Sequence, residues 1–212
     1  MLRQNGATVI ATGRTVDTKD SMSRYMDVSS VQSIREVVED IETTIGPIDT
    51  LINNAGTGSS MSTIDITEDE YDRIVNTNMK GAFFVAQEIG KRMLTRKNGT
   101  IINISSIVTE KVMPNIAIYS MTKAAMNQMT KSLAHEWGPR GINVNAIAPG
   151  YFYTGMTRDT IEGRMGKMIV NSLPRRRVGD PSDLDSVIHM LMDTRNKLMN
   201  GSIIKVDDGF SL

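Results

Sequence analysis

Tyr119 and Lys123 stand four residues apart, a spacing that on a helix puts a phenol and an ammonium on one face, one turn from each other. Upstream, Ser106 closes the run Ile102-Asn103-Ile104-Ser105-Ser106. Two amide-rich segments, Asn53-Asn54-Ala55-Gly56 and Asn76-Thr77-Asn78-Met79-Lys80-Gly81, and the turn Ala148-Pro149-Gly150 complete the set. A phenol, an ammonium, a hydroxyl and side-chain amides are groups that hydrogen-bond a polar ligand and exchange protons with it. Taken singly, each has a plainer meaning. A lone Tyr-x-x-x-Lys pair is more often an exposed Tyr beside a solvated Lys, and Asn inside a helical run is merely a poor helix former.

The elements around these residues change their weight. Residues 7–12, between Gly6 and Gly13, predict a short buried strand, and residues 24–28 a weaker second one. Ser29 and Gln32 have capping-box spacing at the start of a helical pattern with Val31, Ile34, Val37, Val38 and Ile41 on one face, ending near Gly46-Pro47. A strand at 48–53, a long helical region at 68–96 opened by the box Thr67-x-x-Glu70, and a strand at 99–105 follow. Residues 119–137 read as a helix, 142–148 as a strand, 181–192 as a helix with Asp180 as N-cap and Pro181 at N1, and 202–206 as a closing strand. Apolar strands alternating with helices predict an α/β fold, a doubly wound parallel sheet covered on both faces. The candidate residues then fall at strand ends, the edge at which open α/β sheets bind ligands. Without a repeat or a linker tract, residues 1–212 read as one domain.

Composition narrows the function classes. Lys+Arg 24 balances Asp+Glu 24, so nothing favours a nucleic-acid partner. The absence of cysteine excludes disulfide scaffolds, thiolate nucleophiles and Cys-ligated metals. No segment has the length of a membrane span or a secretory leader's apolar region, which predicts a cytoplasmic protein with no membrane partner. The 16 Met are read mainly as core gap-fillers. His135 and His189 lie in helical runs apart from the other candidates, Arg175-Arg176-Arg177 reads as a solvated loop, and no metal site is expected.

Over its whole length the sequence resembles the short-chain dehydrogenase/reductase family, with its Rossmann-like fold. The resemblance rests on Asn-Asn-Ala-Gly at 53–56, Asn78 before Gly81, Ser106, Tyr119-x-x-x-Lys123, and Pro149-Gly150 followed by Thr154, in the family's order and spacing. It implies that Tyr119 is the general acid/base as hydride moves to or from a nicotinamide, that Ser106 orients the substrate oxygen, and that Lys123 holds the nicotinamide ribose. Asn78 would hold a water that relays protons through Lys123. A free Tyr has a pKa of about 10, and lowering it by ~3 pH units beside Lys123 requires about 4 kcal/mol of preferential stabilisation of the phenolate.

For the cofactor, Arg14 stands where dinucleotide-binding folds choose between the ribose 2′-OH and the 2′-phosphate, so NADP(H) is expected over NAD(H). Asp27 and Val28 match the adenine position, Asn54, Ala55 and Gly56 the adenosine ribose, and Pro149, Gly150, Phe152 and Thr154 the carboxamide, beside Tyr119 and Lys123. The family's first strand, glycine-rich turn and most of its first helix have no counterpart in these 212 residues. That strand is central in the order 3-2-1-4-5-6, so two inner edges are expected to lose their partner, with unpaired backbone groups costing ~1–3 kcal/mol each. Weak NADP(H) binding by this chain is the corollary. Two readings result: an NADP(H)-dependent enzyme interconverting a secondary alcohol and a ketone, or a catalytically inactive relative that at most joins an oligomer. Similarity to both gluconate 5-dehydrogenases and 3-oxoacyl carrier-protein reductases leaves a sugar acid or a 3-oxoacyl compound as the substrate. A homo-oligomer, dimer or tetramer, is the expected assembly, though Asp208 replaces the glycine usual in relatives.

Overall fold

In the computed structural model, residues 2–17 and 19–212 are described. Among the described residues six parallel strands fall into two sheets. One pairs β1 (Ala11–Gly13) with β2 (Ser23–Tyr25), and the other runs β3 (Thr50–Asn53), β4 (Gly99–Ile104), β5 (Ile142–Pro149), β6 (Ile203–Val206) in that order. Among the described residues β1 pairs with β2 alone and β3 with β4 alone, so the expected separation of the two halves is present. It changes one expectation, because Ala11 and Thr12 are exposed rather than buried: among the described residues no second strand pairs with β1. The ladder is also shorter than the β-rich run 7–12, since a strand needs a partner as well as a propensity.

The second sheet is sandwiched. Side chains alternate along a strand, so Ile101 of β4 faces one layer and Ile102 the other. The first layer is α1 (Val31–Thr44), α3 (Ala82–Arg96) and α4 (Ala117–Trp137), which bury Ile34, Val38, Val85, Ile89, Met93, Leu133 and Trp137 against Ile101, Ile142 and Val144. Met26, just past β2, joins this cluster and ties the small sheet to it. The second layer is α7 (Asp185–Met192), whose Leu191 packs on Ile102 and Ile147.

Local chemistry explains the element boundaries. Ser30, not Ser29, caps α1, its side chain accepting from the Ser33 amide, because the Ser29 hydroxyl donates to Asp27 instead. Thr67 caps α2 (Glu68–Val75) through the Glu70 amide. The helical region 68–96 is not continuous: a π-helical turn, Asn76–Gly81, separates α2 from α3. Asp180 caps a 3-10 turn, Pro181–Leu184, that leads into α7, with Asp183 closing the capping box. Short helices α5 (Arg158–Glu162) and α6 (Gly166–Ser172) lie between β5 and that turn.

Candidate functional site

α4 carries Tyr119 and Lys123 on its first turns, and β4 delivers the chain to Ser106 opposite them. The Ser106 hydroxyl is near enough to the Tyr119 phenol to favour its ionised form. Lys123 is buried, and its Nζ donates to the Ile104 carbonyl at 2.7 Å and lies 5.7 Å from the centre of the Tyr119 ring. The expected family quartet is completed by Asn78, fully buried in the π turn. Such turns recur at functional sites because the extra residue displaces a side chain from its helical position.

The Asn78 side chain makes three hydrogen bonds. Its Oδ1 accepts from the Thr57 amide at 2.8 Å, and its Nδ2 donates to the Thr57 carbonyl at 2.8 Å and to Thr122 Oγ1 at 3.1 Å. The side chain therefore braces the segment leaving β3 against α4. Thr122, which sequence reasoning missed, completes the brace by donating to the Tyr119 carbonyl at 2.8 Å. Its place beside Lys123 was the available signal, but a single Thr on a helix carries no mark of its distant partner.

Gly56 sits at the centre of the cluster. A Cβ there would lie 3.5 Å from Lys123 Nζ and 3.6 Å from Asn78 Oδ1, and would fill the space between them. Burial pushes the Tyr119 phenol above its ordinary value, with the Ser106 hydroxyl opposing it, and pushes Lys123 down to about 8. The lowered tyrosine pKa expected from the neighbouring ammonium is thus reversed: desolvation outweighs the stabilising contacts on the phenolate.

The remaining candidates form flanks. At one, Asp27 accepts from the Ser29 amide at 2.9 Å and hydroxyl at 2.7 Å, which hold its carboxyl below the usual range with help from the charge of Arg14. Val28 reaches the π turn, where a Cβ on Gly81 would come 2.7 Å from its carbonyl oxygen. Asn54 and Ala55 are exposed just past β3. At the other flank Pro149 ends β5, and Gly150 lies so near Asp207 that a Cβ would meet its Cα at 2.8 Å. Buried Phe152 bridges to Gly179, and the Thr154 amide donates to Thr157 Oγ1 at 3.0 Å. This flank reaches the centre through Met156, whose Sδ would stand 3.8 Å from a Cβ on Gly58, itself packed on the Tyr119 ring.

Two other features hold structural partners. His189 Nε2 contacts Asn5 Nδ2 at 2.8 Å, and Arg175 and Arg177 pair with Asp208 and Asp183, each at 3.2 Å. Among the described residues no cluster of His, Asp or Glu is placed to hold a metal ion, and no helix is long and apolar enough to cross a membrane.

The sequence profile of a family described as Enoyl-(Acyl carrier protein) reductase matches residues 2–211. The chain belongs to the short-chain dehydrogenase/reductase family. Within the family it is similar to gluconate 5-dehydrogenase of Gluconobacter oxydans (strain 621H), 31% identical with 100% of this chain and 88% of that protein aligned. It is also similar to 3-oxoacyl-(acyl-carrier-protein) reductase FabG of Thermotoga maritima, at 33% identity over 99% of this chain and 89% of that one. A solved gluconate 5-dehydrogenase from Burkholderia cenocepacia J2315, in complex with NADP and tartrate, superposes with a TM-score of 0.86 at 30% identity, covering 89% of this chain and 74% of that one. Membership makes the chain an oxidoreductase of nicotinamide-cofactor type. The residues present suit such a cofactor: an ammonium has three donors, of which Lys123 gives one to Ile104, and the side-chain-free Gly56 leaves room beside it.

Proposed function

We propose that this chain interconverts a secondary alcohol and a ketone with NADP(H), using Tyr119 as general acid/base. The observation that carries the reading is the buried Lys123 Nζ, one helical turn from Tyr119 and 5.7 Å from the centre of its ring, with the Ser106 hydroxyl beside the phenol. A carbonyl oxygen seated between Ser106 and Tyr119 takes a hydrogen bond from each. As negative charge develops on it, Tyr119 gives up its phenolic proton and Ser106 stabilises the charge, as oxyanion-hole donors do. Burial keeps the phenol protonated at neutral pH, the form that donates, which supports reduction of the ketone. Bound nicotinamide supplies or accepts the hydride. Lys123 holds the adjacent ribose with its remaining donors, and Asn78 braces the wall that faces it.

Arg14 takes the 2′-phosphate, which sets NADP(H) over NAD(H). Asp27 and Val28 take the adenine, Asn54, Ala55 and Gly56 the adenosine ribose, and Pro149, Gly150, Phe152 and Thr154 the carboxamide. The substrate is a sugar acid or a 3-oxoacyl compound, in keeping with the names of the two relatives above. Residues 1–212 act as one domain in a cytoplasmic homo-oligomer. The test is a panel of keto sugar acids, 3-oxoacyl thioesters and simple ketones assayed for NADPH oxidation. Turnover of a panel member by the native chain, lost in Tyr119→Phe, supports the reading, and turnover unaffected by that change overturns it.

The separation of β1–β2 from β3–β6 favours a second reading, in which the chain serves only as an inactive partner in an oligomer. Fluorescence titration with NADPH discriminates: a Kd weaker than about 10 μM, roughly −7 kcal/mol, goes with the second reading and tighter binding with the first.

A further inference from the structure

Opposite Lys123, the segment Thr57-Gly58-Ser59 leaves β3 and passes over the Tyr119 ring, where a Cβ on Gly58 would stand 3.5 Å from Tyr119 Cδ2. Asn78 grips the Thr57 backbone from within the fold. A second grip comes from the solvent side. Arg73, on α2, donates through Nη1 to Thr57 Oγ1 and through Nη2 to the Gly58 carbonyl at 3.1 Å. The same guanidinium meets both carboxylate oxygens of Glu70, from Nε at 2.7 Å and from Nη2 at 2.8 Å. The Arg73 bonds, with the Ser59 side chain nearby, bring Glu70 down to about 2.

Stability alone does not account for this arrangement. Arg73 is 44% exposed, and a solvent-exposed i,i+3 ion pair contributes little. What the pair does is geometric. A planar fork, fixed by a bidentate carboxylate, reaches a side chain and a carbonyl of two consecutive loop residues. A lysine at this position has no fork and cannot span Glu70, Thr57 and Gly58 together.

We propose that Arg73, oriented by Glu70, is a positioning residue that fixes Thr57–Ser59 against the Tyr119 ring and so keeps water from one side of the phenol. The inference rests on the reading of Tyr119 as the proton donor. The groups that face the phenol are Ser106, beyond the end of β4, and Lys123 on its own helix, and neither touches Arg73. Release of the segment therefore acts on Tyr119 through solvation.

The test is a pH titration followed by NMR of the full chain carrying 13Cζ-labelled tyrosine, with the Tyr119 resonance assigned by Tyr119→Phe. In Arg73→Ala and in Arg73→Lys the Tyr119 midpoint is expected to fall toward the ordinary tyrosine value by about half a pH unit or more, as water reaches the ring edge. A mere loss of positive charge would raise the midpoint in Arg73→Ala and leave Arg73→Lys unchanged, so either of those results, or no movement in the folded variants, overturns the proposal. If neither Arg73 variant folds, Glu70→Gln, which keeps the side chain's size, is expected to show a smaller fall, and an unmoved midpoint there overturns it equally. The titration needs no cofactor and no turnover, so failure of the oxidoreductase reading leaves it legible. Where the native chain turns over a ketone, Arg73→Ala is expected to lower kcat about five- to tenfold with NADPH affinity unchanged.

Discussion

From the body of α4, Lys123 reaches to the end of β4, where its Nζ donates to the Ile104 carbonyl at 2.7 Å; among the described residues no carboxylate pairs with it. An ammonium buried with a backbone carbonyl as its partner is poised to lose its proton, and burial brings it down to about 8 from 10.5. Its charge opposes folding below pH 8, and stability rises as the pH climbs from 8 towards 10.5, where the unfolded chain binds the extra proton. The charge term is about 3 kcal/mol, and the lost bond to Ile104 offsets about 1 kcal/mol of it. Lys123→Met is therefore expected to be more stable than the native protein by about 2 kcal/mol at pH 7, with the advantage gone by pH 10. Urea denaturation at both pH values measures this, and a pH-independent difference would refute it.

Tyr119→Phe removes the phenolic proton while keeping the ring that packs against Gly58. Ketone reduction is expected to fall about 10²- to 10⁴-fold in kcat, the usual span for a general acid, with little change in KM. Steady-state kinetics on whichever ketone the native chain reduces gives the comparison.

Arg14→Ala removes the cation whose field reaches Asp27. A lost charged hydrogen bond of ~1.5–3 kcal/mol corresponds to about ten- to hundredfold weaker NADPH binding, with NADH affected less than about threefold. Equal weakening of both cofactors, by fluorescence titration, would place Arg14 outside the 2′-phosphate site.

Gly81→Ala puts a methyl 2.7 Å from the Val28 carbonyl oxygen and 3.0 Å from the Val28 side chain. The π turn and the segment after β2 must then part, at about 1–3 kcal/mol. Chemical denaturation should show that loss. An unchanged midpoint would mean that the close approach of Val28 to the turn is not needed.

The sequence by itself determined what depends on near neighbours. The i,i+4 spacing of Tyr119 and Lys123 is enough to put them on one face, the apolar periodicity of Ile34, Val38 and Ile41 is enough to make α1 amphipathic, and Thr67 and Asp180 set their helix starts through amides two or three residues away. The motif residues at strand ends located one edge of the sheet for the same reason. Tertiary structure decided what depends on burial and on distant partners. Whether β1 is buried turned on the strand beside it, not on its own β-rich run. The π turn that aims Asn78 at Thr57, 21 positions away, breaks a region with uninterrupted helical periodicity. The protonation of Tyr119 and Lys123 was legible only in space, because spacing gives a lysine's distance along a helix, while water exclusion by β4, α4 and the Thr57–Ser59 segment determines whether its charge or its burial prevails.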